Sequence, residues 1–408
     1  MDQAHVVILD TGKEWGGGTN SLLELLRRMD RAKYRFTCVF YDDYRQGKDG
    51  PRISETLARL GVSFEQMPRR SPSLPGKLLK AFLRGLLCFN ERFKRLGIFF
   101  VDYWVRIRPD ARRLAEILRA RSPRLVYVNN QPSSNLEGIL AARALGIPAL
   151  QHARIEARLH PFEVRAANEG LCGIIAVSDG VKRGLVVEQG IEPSKCVVIH
   201  NGIAIDTAPL LPPAVVRARW GIAEGEVLIG TAGSLVRRKR IADLIGVVAA
   251  LIAGGGPSIR CVIVGEGPER ERLVAEVERH GIADQVVFTG FQPDAISYIN
   301  ALDVFAMPSE REGLPRVILE AMLMAKPVVA SAVTGPSELV VDGVTGFLLP
   351  VGDSGAWLDA LRRLATDEGL RKQMGIAGRQ RVVDAFSIDK CVAAVDAVLT
   401  RLLASASP

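Results

Sequence analysis

Met307-Pro-Ser-Glu-Arg-Glu-Gly-Leu-Pro-Arg-Val-Ile-Leu-Glu-Ala-Met-Leu-Met-Ala-Lys-Pro-Val-Val-Ala330 reads as the end of a strand, a polar loop, a helix and the start of another strand. The apolar run Val304-Phe-Ala-Met307 stops at Pro308-Ser309. Beyond the loop, Val317, Ile318, Ala321 and Met322 recur at helical spacing. Proline is best tolerated in the first helical turn, where its missing N–H is not needed, so Pro315 marks the helix start. Glu312 then lies in the loop just ahead of the helix, and Glu320, eight residues on, lies in its second turn on the polar side. The N–H groups of a helix N-terminus attract anions, and Gly313 permits close approach to the backbone. The local chemistry is a phosphate site flanked by two carboxylates able to accept from hydroxyls, which suits a diphosphate between two polyols. Two acids eight apart are equally compatible with two solvated side chains, so the rest of the chain has to decide.

The same alternation runs from end to end. Strand patterns fall at Val6 to Leu9, Phe36 to Tyr41, Val62 to Met67, Leu125 to Val128, Ala149 to His152, Ile174 to Val177 and Val197 to His200. They restart at Val227 to Gly233, Cys261 to Gly265, Val286 to Gly290, Val304 to Met307, Val328 to Ala330 and Phe347 to Leu349, with helical patterns between them. Strands alternating with helices make parallel sheets covered on both faces. At 408 residues the chain accommodates two domains. The proline-containing connection Ala208-Pro-Leu-Leu-Pro-Pro213 marks the division: residues 1–206 as an N-terminal domain, 207–385 as a second, and 386–408 as a helix crossing back to the first. The fold class is α/β, two doubly wound parallel-sheet domains whose strand ends face a cleft where ligands bind.

In this setting the stretch around Glu312 and Glu320 resembles the Glu-x7-Glu signature of retaining, nucleotide-sugar-dependent glycosyltransferases with two Rossmann-like domains, the GT-B fold, and in particular glycosyltransferase family 4. The resemblance implies that Glu312 holds hydroxyls of the donor sugar, that Glu320 holds the ribose, and that the backbone at Gly313 and Leu314 contacts the diphosphate. It also implies retention of configuration and no metal or other cofactor. No metal-ligand motif is present in the sequence.

The loops at the other strand ends follow. Thr11-Gly-Lys-Glu-Trp-Gly-Gly-Gly-Thr-Asn20 comes directly after the first strand and opens a helical pattern. Gly16, Gly17 and Gly18 suit either a flexible turn or a loop that lets a ligand near the backbone. The spacing departs from Gly-x-Gly-x-x-Gly, which disfavours a dinucleotide cofactor, and the resemblance implies that the loop faces the donor diphosphate. His152 ends a strand in Pro148-Ala-Leu-Gln-His152; a lone histidine is usually structural, but the family has one at the matching point beside the donor sugar. His160 is a second, weaker candidate. Ala176-Val-Ser178 and Ile199-His-Asn-Gly202 also match the family and read as structural turns. In the second half, Gly233-Ser-Leu-Val-Arg-Arg-Lys-Arg240 places a basic cluster at a strand end, suited to charge-assisted bonds to a diphosphate. Lys239 matches the family lysine, while Ser234 stands where the family has arginine. Either Arg237 or Arg238 compensates, or the phosphate is held less tightly. Gly265 and Gly267, in Gly-Glu-Gly-Pro268, match a turn passing close to the nucleotide, and Phe291 the border of the base. Ala325 replaces a frequent family glycine, a change expected to affect packing.

The net charge of +8 is uneven: residues 1–206 hold 32 Lys+Arg against 22 Asp+Glu, a net of +10, leaving −2 for the remainder. Arg69 to Arg95 contains eight basic residues and one acid, Glu91, with Leu78, Leu79, Phe82, Leu83 and Leu86 at helical spacing. Such a helix is suited either to lying on an anionic membrane or to packing as an ordinary domain helix with its stripe in the core; the second reading is favoured for the helix itself, while the basic first half as a whole reads as a surface for an anionic membrane. No nucleic-acid-binding pattern occurs, so no nucleic acid partner is expected. The six cysteines lack paired spacing, no run is long enough to span a bilayer, and the chain opens directly on a strand. Taken with the family resemblance, these features lead to the expectation of a cytoplasmic enzyme, peripheral on the inner face of the membrane, that transfers sugar from a nucleotide-sugar donor to a lipid-linked or cell-envelope glycan acceptor. A sugar-nucleotide epimerase of similar fold and a non-catalytic sugar-nucleotide-binding protein are the competing readings.

Overall fold

The computed structural model describes residues 3–10, 15–70, 74–86 and 89–405. Its first sheet contains β1 (Ala4–Asp10), β2 (Tyr34–Phe40), β3 (Ser63–Gln66), β4 (Leu125–Asn129), β5 (Ala149–Ala153), β6 (Gly173–Ala176) and β7 (Cys196–Val198), in the order β3-β2-β1-β4-β5-β6-β7. The second contains β8 (Val227–Ala232), β9 (Ile259–Val264), β10 (Val286–Gly290), β11 (Val304–Met307), β12 (Val328–Ser331) and β13 (Gly346–Leu349), in the order β10-β9-β8-β11-β12-β13. Every pairing within the two sheets is parallel. The central strands are mostly apolar, as strands covered on both faces are, and all seven residues of β1 and all six of β8 are buried. All thirteen strand patterns of the sequence are present, each within two residues of its expected ends.

Strand order reverses between β1 and β4 in the first sheet and between β8 and β11 in the second. Ligands of doubly wound sheets bind outside the carboxyl ends of the strands at such switch points. Asp10 and Asn129 end β1 and β4, while the loops beginning at Gly233 and Pro308 follow β8 and β11. Topology therefore sends the motifs singled out above to the places where this fold can use them.

The chain divides into two compact units, one of residues 1–177, 181–199 and 394–408 and the other of 178–180 and 200–393. The last helix, Ile388–Ser405, changes unit along its length. From residue 394 it is part of the first unit, where Lys33 Nζ meets Asp396 Oδ2 at 3.1 Å, the Tyr34 and Thr400 hydroxyls lie 3.1 Å apart, and Val395 and Leu399 are buried.

One expectation is corrected here. The connection from β3 to β4 contains helices Leu74–Leu86, Glu91–Asp102 and Arg108–Arg121. The last of these lies against the core through Ala111, Leu114, Ala115 and Leu118. The stripe of the first is largely in solvent: Leu78, Leu79, Phe82 and Leu86 are exposed and Leu83 is half-buried, while Arg108–Arg121 supplies the buried helix of this connection.

Candidate functional site

In the second unit the site is built on the loops after β8 and β11. Beyond β8 a single 3-10 turn, Arg237–Lys239, precedes helix Ile241–Ala253. The Arg238 carbonyl accepts from the Glu310 N–H at 2.9 Å, which ties the two loops together. Their side chains meet on Glu312: Lys239 Nζ donates to Oε1 at 2.6 Å and Arg238 Nη1 approaches it at 3.4 Å while also donating to the Arg311 carbonyl at 3.3 Å. Glu312 is buried, and the two cations at its Oε1 stand where bulk water would otherwise be. Pro315 is the N-cap, with extended backbone, and the helix runs Arg316–Leu323, placing Glu320 in the second turn as expected. Glu320 is half-buried beside Arg316, Nη2 to Oε1 at 3.6 Å. Of the two arginines that could stand in for the arginine missing at 234, Arg238 is the one brought onto Glu312.

The glycines of this unit have a structural reason of their own. Gly265 and Gly267 take φ of +139° and +159°, and a Cβ would fall 1.9 Å from the Gly233 carbonyl oxygen and 2.4 Å from that of Leu235. Their smallness lets the ends of β8, β9 and β10 interlock. Gly265 N–H donates to the Gly290 carbonyl and Leu235 N–H to that of Glu266, while Ser234 sits within the same turn and its carbonyl accepts from Val236 N–H. Phe291 follows directly, half-buried. The Gly313 backbone is clasped from outside: a Cβ on Gly335 would come 2.3 Å from its carbonyl oxygen, and Asn201 Nδ2 donates to the carbonyl of Leu314 at 3.1 Å.

In the first unit, residues 11–14 of the glycine-rich loop lie outside the described residues. Gly16 caps helix Gly17–Arg28 with ordinary extended backbone. A Cβ on Gly16 or Gly17 would meet nothing, and one on Gly18 would lie at ordinary contact distance, 3.5 Å, from Asn130 Oδ1. Among the described residues nothing demands glycine at 16 or 17, which leaves room beside the backbone for a ligand. Around them, Trp15 donates to Asn20 Oδ1 at 2.7 Å and the Thr19 and Tyr44 hydroxyls lie 3.0 Å apart. Asp10 accepts from Asn129 at 2.6 Å and Asn130 at 3.1 Å, and Arg154 Nε donates to Asn129 Oδ1 at 2.9 Å. Asn130 itself is in the left-handed region at φ 89°, a conformation often retained at functional sites.

His152 ends up fully enclosed. Its Nδ1 is hydrogen-bonded to the Tyr127 hydroxyl, and its Nε2 is buried with no hydrogen-bond partner among the described residues. Burial, reinforced by the Arg154 charge, holds the imidazole well below its ordinary pKa, so it is neutral at physiological pH. A neutral imidazole bonded through Nδ1 presents Nε2 as its one remaining polar atom. His160, by contrast, is structural: its Nδ1 accepts from Phe162 N–H at the start of helix Pro161–Gly170, and its ring stacks on Phe99 at 3.9 Å.

A family model described as glycosyl transferases group 1 matches residues 215–381, and one described as Glycosyltransferase Family 4 matches residues 15–207. The 2-deoxystreptamine N-acetyl-D-glucosaminyltransferase of Streptomyces fradiae is 32% identical over 372 residues, covering 80% of this chain and 84% of its own. The chain belongs to the group 1 glycosyltransferases. The capsular polysaccharide biosynthesis glycosyltransferase CapM of Staphylococcus aureus is 30% identical over 220 residues, 52% of this chain and 57% of the relative's length. Among solved structures, Anabaena HepE in complex with UDP and glucose matches with a TM-score of 0.77 and 20% identity, over 98% of this chain and 100% of that one. The fold of this glycosyltransferase is therefore GT-B.

The sequence reading missed four contributors. Asn201 falls in a stretch that reads from sequence as a structural turn, yet it fixes the Leu314 carbonyl. Arg316 is no motif residue, yet it pairs with Glu320. Tyr127, inside an apolar strand, carries the bond to His152, and Asn130 follows β4 with nothing in its neighbours to flag it. Among the described residues one trio, Asp179, His200 and Glu338, has ligand atoms within 4.8 Å of one another. Glu338 is already engaged there: Oε1 accepts from Gly180 N–H at 2.9 Å, and Oε2 from Asp179 N–H at 2.9 Å and pairs with His200 Nε2 at 3.0 Å. The trio reads as a knot anchoring residues 178–180.

Proposed function

We propose that this glycosyltransferase is a retaining enzyme that moves a sugar from a nucleotide-diphosphate sugar to a lipid-linked or cell-envelope glycan, without metal, as a peripheral protein on the cytoplasmic face of the membrane. The observation that carries the reading is the buried Glu312 held against Lys239 and Arg238 directly ahead of a helix N-terminus, with Glu320 one turn inside that helix. In this reading Glu312 accepts from hydroxyls of the donor sugar and Glu320 from the ribose. Lys239, Arg238 and the backbone at Gly313 and Leu314 take the charge of the departing diphosphate. Ser234, Gly265, Gly267 and Phe291 shape the nucleotide side, Gly16 to Gly18 give the phosphates room, and His152 Nε2–H donates to a hydroxyl of the donor sugar.

The bond between the anomeric carbon and the phosphate oxygen breaks through an oxocarbenium-like state, and the acceptor oxygen bonds to the same face of that carbon. The acceptor's proton passes to the departing phosphate oxygen, which needs no second protein carboxylate about 5 Å across the bond as in a double displacement. A diphosphate that receives a proton and meets two cations needs less help from a metal. The name of CapM supports an envelope glycan as acceptor, and the UDP complex of HepE supports a nucleotide-sugar donor.

The test is a thermal-shift panel of UDP-, GDP- and ADP-sugars, each with magnesium and with EDTA. A ligand that binds the folded state raises the midpoint by mass action. One selective shift, unchanged by EDTA, is the expected result and names the donor. A shift that vanishes in EDTA removes the metal-free proposal; no shift with any sugar nucleotide or bare nucleotide removes the donor reading. Conversion of one free sugar nucleotide into another would favour the epimerase.

A further inference from the structure

The connection between β3 and β4 contains more helix than the sheet uses. A parallel crossover needs one helix against the sheet, and Arg108–Arg121 supplies it. Helices Leu74–Leu86 and Glu91–Asp102 pack on each other and leave large apolar side chains outside: Leu78 63%, Phe82 62% and Phe93 57% exposed, and Phe89, between the helices, 98% exposed. Single exposed apolar residues are ordinary; this many on one hairpin marks a surface built to be covered.

What covers it is constrained by charge. Arg84 and Arg95 are exposed on the two helices, Asp102 is neutralised by its ion pair with Lys80, and the only other acid from residue 69 onward in the hairpin is Glu91. The side chains of Lys77 and Arg92 lie outside the described residues. The face is apolar and cationic, in a half of the chain with a net charge of +10. A second copy would set two such faces against each other with like charges opposed. An anionic bilayer satisfies both features at once: basic side chains meet headgroup phosphates while Leu and Phe enter the acyl boundary. At the base of the hairpin, Trp104 is exposed with the Arg108 guanidinium 4.4 Å from its ring centre, an amphipathic pairing suited to the headgroup layer. No described helix is long and apolar enough to cross a membrane, so the contact is superficial. The root is held by packed rings: Phe99 stacks on His160 and Tyr103 meets Phe162 edge-on at 5.0 Å. Both anchors lie in the segment that follows β5 and His152.

We propose that the hairpin of helices Leu74–Leu86 and Glu91–Asp102 is an arm that docks the enzyme on an anionic lipid surface, and that its root sets the segment after His152 beside that surface. The arm rests on the peripheral-membrane reading given above and assigns it to one element.

The test is sedimentation of the full-length protein with vesicles of phosphatidylglycerol and phosphatidylcholine in equal parts, and with phosphatidylcholine alone, at low and high salt. Wild type is expected to bind the anionic vesicles and to lose binding with salt. The triple variant Phe82→Glu, Phe89→Glu, Phe93→Glu, all at exposed positions, is expected to lose at least about tenfold in partitioning. Arg84→Ala with Arg95→Ala is expected to lose about tenfold on anionic vesicles and nothing on neutral ones. Both variants should keep the melting temperature of wild type and its shift with donor nucleotide. If wild type ignores anionic vesicles at low salt, the membrane reading falls and the arm with it. If wild type binds and the triple variant binds equally well, the arm alone is refuted. If light scattering finds a wild-type dimer that the triple variant dissolves, the face belongs to a second copy and the proposal is overturned.

Discussion

Glu312 lies almost out of solvent with Lys239 and Arg238 sharing its Oε1, so the proposed donor ligand is also a structural counter-ion. Removing one partner of a buried pair leaves the other charge uncompensated, typically at about 3–5 kcal/mol. Glu312→Ala is expected to lose both donor-induced stabilisation and a substantial part of the folding free energy. Glu320→Ala, at a half-buried helical position, should lose the donor effect while unfolding near the wild-type urea midpoint. A wild-type donor shift in both variants would contradict the assigned roles. His152 gives a prediction with a defined sign. Its folded pKa lies well below the ordinary 6.5 because burial disfavours the cation. As pH falls through 6.5 the unfolded chain takes up a proton that the folded chain refuses, so stability declines towards acid, by up to about 1.4 kcal/mol per pH unit. Urea unfolding at pH 7 and 5.5 should therefore differ by about 1 kcal/mol less in His152→Gln than in wild type; an unchanged difference would mean the imidazole is not held neutral. Tyr127→Phe removes the partner that fixes the ring, and the nitrogen shifts of His152 by NMR should report a changed tautomer balance even where the fold is kept.

At the scale of elements, the glycines separate into two populations that the sequence presents identically. Gly16→Ala and Gly17→Ala place a methyl in open space on ordinary backbone, so stability is expected to stay within about 0.5 kcal/mol while donor binding weakens. Gly265→Ala and Gly267→Ala force a Cβ into a neighbouring carbonyl at positive φ, and are expected to lose more than about 2 kcal/mol whatever is bound. Calorimetry of the four variants, with and without donor, distinguishes the two classes. Ala325 is the converse case. Helix Arg316–Leu323 ends in a Schellman turn, with Lys326 N–H bonded to the Ala321 carbonyl and Ala325 N–H to that of Met322, each at 2.9 Å, and this puts Ala325 at φ 53°. Ala325→Gly is expected to raise stability by about 1 kcal/mol, since only the Cβ opposes that conformation; a lower melting temperature would argue against strain there. These cases show what could be read in advance. The strands were legible because a doubly covered parallel strand is a mostly apolar run, and the places of Glu312, Glu320 and Lys239 beyond strand ends followed from those strands, while their proposed roles come only from the family resemblance. The exposure of the Phe82 stripe was not legible, since a helical period of apolar residues says that a face is buried or waiting, without saying against what. Asn201 and Tyr127 were hidden for another reason: their partners lie 113 and 25 residues away in sequence, and only folding puts them together.

At the scale of the whole molecule, the last helix carries the chain from the core of one unit into that of the other. Ile388 is buried in the second unit and its N–H donates to the Ile203 carbonyl at 2.8 Å, whereas Val395, Val398, Leu399 and Leu403 are buried in the first. Each unit has its own sheet and its own buried apolar residues, so a defect in the far half of this helix should be felt by the first unit and not by the second. Leu399→Ala deletes a side chain only 2% exposed, a change that usually lowers stability by about 2–5 kcal/mol through lost burial and the cavity left behind. The two halves of the molecule should then respond unequally in amide hydrogen exchange. Protection is expected to fall across β1, β2 and β4 to β6, which share the first sheet, and to persist across β8, β9 and β11. Donor nucleotide should deepen protection in the second set in the variant as in wild type, because Glu312, Lys239 and Glu320 all belong to that unit. Equal loss of protection in both sheets would instead mean that the chain unfolds as one cooperative body, with the helix coupling the two cores more strongly than their separate packing suggests.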